Sequence, residues 1–186
     1  SKRHTFGKMT LDIYDMNGKF INSITPGKQK GINIVEWDFG MKAPKVAQGK
    51  TFSFGGLTSP RVPAGKYKVV INKGKDKFET EIELVYTPKS VFTLDDRKIQ
   101  QEVTTNLYNI TEELAYMVYE LDVILENAEK NGKENAGVKK LADKIILELN
   151  ALKETLVITK GDNYVGAAEP QLREKMGDLY STIASY

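Results

Sequence analysis

Two periodicities divide this chain. Up to about residue 88, apolar residues recur at every second position; beyond it they recur at every third or fourth. Met9, Leu11 and Ile13 alternate with Thr10 and Asp12, as in a half-buried strand. Asp15-Met16-Asn17-Gly18 predicts a hairpin turn, because Asn-Gly accepts the positive φ angles of tight turns, and residues 19–24 read as the return strand. Residues 31–38 are the next candidate strand, with Asn33, Val35 and Trp37 on one face and Ile32 and Ile34 on the other. A long irregular stretch follows over 39–61, punctuated by Pro44, Gly49, Gly55, Gly56 and Pro60, with a short strand expected at 51–54. Residues 65–73 give the clearest strand. Gly74-Lys75-Asp76 turns the chain, and Phe78, Thr80, Ile82, Leu84 and Tyr86 alternate along the last strand. Six or seven short strands in about 90 residues predict an immunoglobulin-like or fibronectin-like antiparallel β-sandwich over residues 1–88.

Thr87-Pro88-Lys89 marks the boundary, and residues 89–186 read as three helices, at about 94–131, 135–158 and 170–185. In the first, Val103, Leu107, Ile110, Leu114, Met117, Leu121, Ile124 and Ala128 step by four and three without a break, a heptad seam. Val138, Leu141, Ile145, Leu149, Leu152 and Leu156 continue the pattern in the second, and Leu172, Met176, Leu179 and Ile183 in the third. Thr93, followed by Asp95 and Asp96, opens the first helix with a cap and with anions at its positive end. Short connections imply an antiparallel three-helix bundle. The expected fold class is therefore α+β, with two segregated modules.

Composition strengthens this division. The formal charge is only +2 over 186 residues, but residues 1–90 carry 16 Lys+Arg against 8 Asp+Glu, and residues 91–186 carry 11 against 17. Five of the six prolines precede residue 90. No apolar run approaches the ~20 residues of a membrane helix, so no membrane span is expected. There is no cysteine and one histidine, His4. Thiol chemistry is excluded, and histidine-based catalysis or metal binding has little to build on. No catalytic residue, no metal site and no cofactor is expected, and the chain is read as a non-enzyme.

Each remaining chemical candidate has a plainer reading. Asp15-Met16-Asn17-Gly18 resembles the start of a calcium loop but lacks the later ligands, and reads as a turn. Glu36 and Asp38 can be imagined as the paired carboxylates of a glycosidase, but no such site is expected. Trp37, Phe39, Phe52, Phe54 and Tyr67 form an aromatic group in the first module. Such rings usually fill a core. The alternative is a carbohydrate-binding face of Trp37, Phe39, Phe52 and Phe54, decided by the exposure of Trp37. Tyr108, Tyr116 and Tyr119 line the long helix beside its seam. Lys66, Lys68, Lys73, Lys75 and Lys77 are interleaved with Glu79, Glu81 and Glu83, a pattern that suits guarded strand edges better than nucleic acid, so no nucleic-acid partner is expected.

The strings Leu11-Asp12-Ile13-Tyr14-Asp15, Asn17-Gly18-Lys19, Gly31-Ile32-Asn33, Trp37-Asp38 and Val62-Pro63-Ala64-Gly65-Lys66-Tyr67 are similar to immunoglobulin-like modules of the bacterial flagellar hook-cap type and to C-terminal sorting modules of Bacteroidetes secreted proteins. Pro60-Arg61-Val62-Pro63-Ala64-Gly65, together with Pro170-Gln171-Leu172-Arg173-Glu174-Lys175-Met176-Gly177-Asp178-Leu179-Tyr180, resembles the C-terminal region of sortilin-like, BNR-repeat propeller proteins grouped with the glycosyl hydrolases. That resemblance implies a β-propeller upstream in the same polypeptide, which would hold any active site. It also implies a periplasmic or extracellular location and an accessory, bracing role for the present region. A helical module after the sandwich departs from the sorting modules, which end their chains.

Overall fold

The computed structural model describes residues 8–27, 29–161 and 169–185, with only the backbone of Phe54. His4 and most of the polar loop expected at 159–168 lie outside the described residues. Among the described residues, four strands and three helices stand in the order β1 (Met9–Asp15), β2 (Phe20–Ile24), β3 (Gly65–Lys73), β4 (Asp76–Leu84), α1 (Leu94–Glu134), α2 (Lys139–Leu156) and α3 (Leu172–Ala184). The architecture is α+β.

The four strands form one antiparallel sheet in the order β2-β1-β3-β4. Ile13 lies opposite Val69, and Tyr67 opposite Ile82, so these side chains share the face that is buried. A register shift between Ile13 and Tyr14 lets β2 contribute Ile21 to the same cluster. The hairpin between β1 and β2 forms as the sequence predicts. The Asp15 carboxylate accepts the backbone N–H of Asn17 (2.9 Å) and of Lys19 (2.8 Å), and Gly18 takes φ 85°. Asp15 is therefore a turn residue. At the outer edge, β4 is almost wholly exposed, and the Lys68–Glu79 pair (2.6 Å) belongs to the charged surface that guards it.

The strand expected at 31–38 does not form. Ile32 and Ile34 are 94% and 85% exposed, with no strand partner to satisfy an extended backbone. The short strand expected at 51–54 is replaced by a 3-10 turn at Phe54–Gly56. Among the described residues there is accordingly one sheet. Its buried face is covered by Trp37, Met41 and Val62 from the intervening chain. There Met41 N–H donates to Pro60 O and Val62 N–H to Phe39 O (both 2.8 Å), around a bridge between Gly40 and Arg61.

That bridge closes an excursion. The chain divides into two compact units, one of residues up to Lys42 and then Ser59–Gln101, the other of Ala43–Thr58 and then Glu102 onward. The division therefore does not fall at residue 88. Residues 43–58, expected in the β-module, are part of the helical unit, and α1 contributes its first two turns to the sheet unit.

In the helical unit, Ala47, Leu114, Val118 and Val157 form the buried cluster, with Leu156 and Met176 packed against it. The expected seam of α1 is displaced by one residue at every second position. Leu114 and Leu121 are buried as expected, but their partners are Thr104, Thr111, Val118 and Leu125, while Val103, Ile110, Met117 and Ile124 are exposed. Two of the buried positions are threonines, which a hydrophobicity pattern skips. The Thr111 hydroxyl donates to Leu107 O (2.7 Å), so its polar atom is satisfied within the helix and its methyl is free to pack. The same displacement occurs in α3, which buries Arg173, Gly177, Tyr180 and Ala184 and exposes Leu172 and Leu179. In α2 only Ala142 is fully buried; Leu141 and Leu152, both expected in its seam, are exposed.

Adjacent residues of α1 test this displaced face. Leu125→Ala is expected to cost about 2–5 kcal/mol, the range for truncating a buried leucine. Ile124→Ala, at a side chain 51% exposed, should cost less than ~1 kcal/mol. Urea unfolding of both variants reads the difference, and a larger loss at Ile124 would restore the original seam.

Candidate functional site

The densest set of buried polar contacts lies where α3 meets residues 43–58. Arg173 is the second residue of α3, on the side that faces this segment, and is 4% exposed. Burial of a guanidinium is tolerable only when its donors are matched. Nη1 donates to Ala47 O (2.9 Å), Nη2 to Thr51 O (2.6 Å) and to the Thr51 hydroxyl, and Nε to Glu174 Oε1 (2.8 Å). Glu174 supplies the countercharge, 2.7 Å from Nη2, and accepts a further bond from Thr51 Oγ1 (2.8 Å). It also closes the capping box of α3 with Gln171, so one carboxylate serves both the helix start and the arginine.

Close approach requires small residues. A Cβ at Gly49 would lie 2.7 Å from Arg173 Nη1, and one at Gly55 would lie 3.1 Å from Gly177 Cα. Two turns after Arg173, the Tyr180 side chain is fully buried; its hydroxyl donates to Thr58 O (2.9 Å), and its ring meets Tyr108 edge-on at 6.4 Å. Burial, with the Tyr108 phenol beside it, pushes Tyr180 well above the ordinary tyrosine pKa. Lys50 N–H donates to Ile158 O (2.8 Å), which ties the segment to the chain just beyond α2. Ser53 Oγ is the one buried side-chain oxygen of this segment, among the described residues, without a partner. The arrangement immobilises backbone; its charged groups face carbonyls and each other rather than an open cleft.

The aromatic residues proposed for a ligand face are distributed over both units. Trp37 is half-buried against the sheet's core cluster, its Nε1–H donates to Gly40 O (3.0 Å), and its ring meets Phe39 at 5.6 Å and Tyr67 at 5.8 Å, both edge-on. Phe39 is 46% exposed and holds a positive φ of 62°. Phe52, 50% exposed, belongs to the helical unit, as does Phe54, whose side chain lies outside the described residues. Within the sheet unit the geometry is thus a Trp37–Phe39 pair. Among the other acidic candidates, Asp38 accepts the Gly40 N–H (2.9 Å), and Asp12 accepts the Ser23 hydroxyl and the Asn72 amide (both 2.6 Å). Among the described residues, no group of three His, Cys, Asp or Glu side chains is placed to hold a metal ion. No described helix is long and apolar enough to cross a membrane.

In the sequence Arg173, Gly177 and Tyr180 stand out only within the string that resembles propeller-protein C-terminal regions. A signal was available: arginine, glycine, tyrosine and alanine at 173, 177, 180 and 184 follow helical spacing, and a glycine inside a helix costs roughly 1 kcal/mol relative to alanine unless something needs its space. No family model, curated protein or solved structure matches the chain.

Arg173→Met is expected to lose about 3–5 kcal/mol, because Glu174, a largely buried carboxylate, is left without its countercharge, and the carbonyls of Ala47 and Thr51 lose their donor. Arg173→Lys should not restore the loss, since a single ammonium cannot reach both carbonyls and the carboxylate in the same plane. Thermal unfolding reads both variants. Tyr180 adds a pH dependence. Its raised pKa means that the stability it contributes is complete below the unfolded-state pKa of about 10 and is lost as pH rises above it. Denaturation between pH 8 and 11 should show this decline in the parent protein and a shallower one in Tyr180→Phe.

Proposed function

We propose that the chain is a non-catalytic accessory region of a larger periplasmic or extracellular protein, which packs on and braces a β-propeller of the same polypeptide. The observation that carries this reading is the buried Arg173–Glu174–Thr51 set, which turns the longest irregular stretch of the chain into a fixed part of the helical unit. A binding loop relies on side chains left free to meet a ligand; here the polar groups of the stretch hold the scaffold. The propeller itself comes from the sequence resemblance.

The finer fold belongs to the same proposal. An immunoglobulin-like type for the sheet unit is supported by Tyr67, whose hydroxyl donates to Pro63 O (2.7 Å) four residues upstream, as in the tyrosine corner of such folds. It is supported too by residues 37–41 and 60–62, which cover the sheet's buried face. A three-helix bundle is supported by Val118, Leu156 and Met176, one from each helix, meeting in one cluster.

The second reading, a carbohydrate-binding module using Trp37 and Phe39 with Phe52 and Phe54, draws on the half-exposed Phe39 ring beside Trp37. It predicts glycan-array signals that disappear in Trp37→Ala.

For the leading reading, the preceding segment of the polypeptide is expressed alone and with this chain supplied in trans. Complex formation and a rise of several degrees in the propeller's melting temperature are expected. No complex and no shift would overturn the bracing role, and turnover of a glycoside by the present chain alone would overturn its non-catalytic character.

A further inference from the structure

A groove of about 960 Å³ runs along α1 in the helical unit, on the side away from the exposed line of Met117 and Ile124. Its size is at the upper end of ligand sites. The floor is apolar, with Val118 and Leu125 at the base and Tyr119 and Val123 on the lip, where Tyr119 is 67% exposed. The charged side chains that line its two ends differ in sign. At one end stands Lys45, whose Nζ donates to Tyr116 OH (2.8 Å) and sits 4.8 Å over that ring, with its backbone N–H held by Glu112 (3.1 Å). At the other end Glu126 and Glu129 project from α1 three residues apart and so lie on one face, with Glu129 in an exposed pair with Lys133 (3.7 Å) that water screens. Between them Lys153 is already neutralised by Asp122. From Tyr116 to Glu126 the helix rises ~15 Å, the reach of about five extended residues.

We propose that this groove binds a short extended peptide segment of a partner protein, basic at the Glu126–Glu129 end, apolar over Tyr119 and Val123, and acidic at the Lys45 end. Charge complementarity selects this occupant: a uniformly acidic or uniformly basic segment gains one end and is repelled at the other, and a neutral sugar uses neither. Binding through this groove is independent of the bracing role.

The test is an amide NMR titration of the full chain with the hexapeptide Lys-Lys-Leu-Leu-Asp-Asp, with Lys-Lys-Leu-Leu-Lys-Lys and Asp-Asp-Leu-Leu-Asp-Asp as controls. Shifts confined to residues 45–48 and 116–129 and at least tenfold tighter binding of the mixed peptide are expected. In the double variant Glu126→Lys/Glu129→Lys the order should invert in favour of the all-acidic peptide. Both side chains are exposed, and a circular dichroism spectrum like the parent's checks the fold; the milder Glu126→Gln should weaken the mixed peptide about threefold. Absence of shifts in the groove, or equal affinity for the three peptides, would overturn the proposal. So would a concentration-dependent dimer that Tyr119→Asp dissociates, because the groove would then belong to a second copy of this chain.

Discussion

A guanidinium removed from water organises the helical unit. Arg173 is buried at the start of α3, and each direction in which its planar fork points is met by an oxygen of Ala47, Thr51 or Glu174. An isolated charge at this depth would be prohibitive; with the carboxylate beside it and two carbonyls accepting its N–H groups, it becomes a rigid connector. The geometry constrains both partners. The carbonyls at 47 and 51 must converge on one point, so the chain between them has to turn sharply, and Gly49 at that turn leaves no room for a side chain.

The same connector explains how so long a stretch without regular structure is tolerated. Irregular segments of this length are otherwise surface lids or linkers. Residues 43–58 instead lie against α3, held by Arg173 near one end and by the Tyr180–Thr58 bond at the other. The flanks of the excursion are closed in the sheet unit by the antiparallel contacts of residues 39–41 with 60–62. Releasing α3 would therefore free the segment in the same step and deprive the Ala47–Val157 cluster of one wall. Folding of the helical unit thus depends on contacts more than 120 residues apart in sequence, a costly loop closure that a strong buried interaction offsets.

What was legible in the sequence follows from which residues build each face. The sheet was readable because its buried face is made of Leu11, Ile13, Val69 and Ile82, residues whose hydrophobicity and alternation point the same way. The helices were readable as helices, with ends within a few residues of those expected, because any line of apolar residues at three-four spacing reports the period. Which line faces inward was not readable. In α1 the inner line begins with Thr104 and Thr111, and in α3 it is Arg173, Gly177, Tyr180 and Ala184. Neither line is uniformly apolar, and at Thr111, Arg173 and Gly177 a specific bond or close contact compensates. The excursion was illegible for a related reason: its destination is set by a partner 122 residues later, and nothing local in Ala47–Thr51 announces it.

The residues displaced from the inner line acquire a different meaning. When Thr111 and Arg173 take inward positions, Ile110, Met117, Ile124, Leu172 and Leu179 are turned outward with their apolar area intact. A helix with one apolar line inside and a second outside is suited to two sets of neighbours, one within its own chain and one beyond it. Solubility alone is better served by polar residues at such outer positions. On α1 and α3 polar connectors fill part of the inner line while apolar side chains hold outer positions, so the hydrophobicity of each helix is split between two faces.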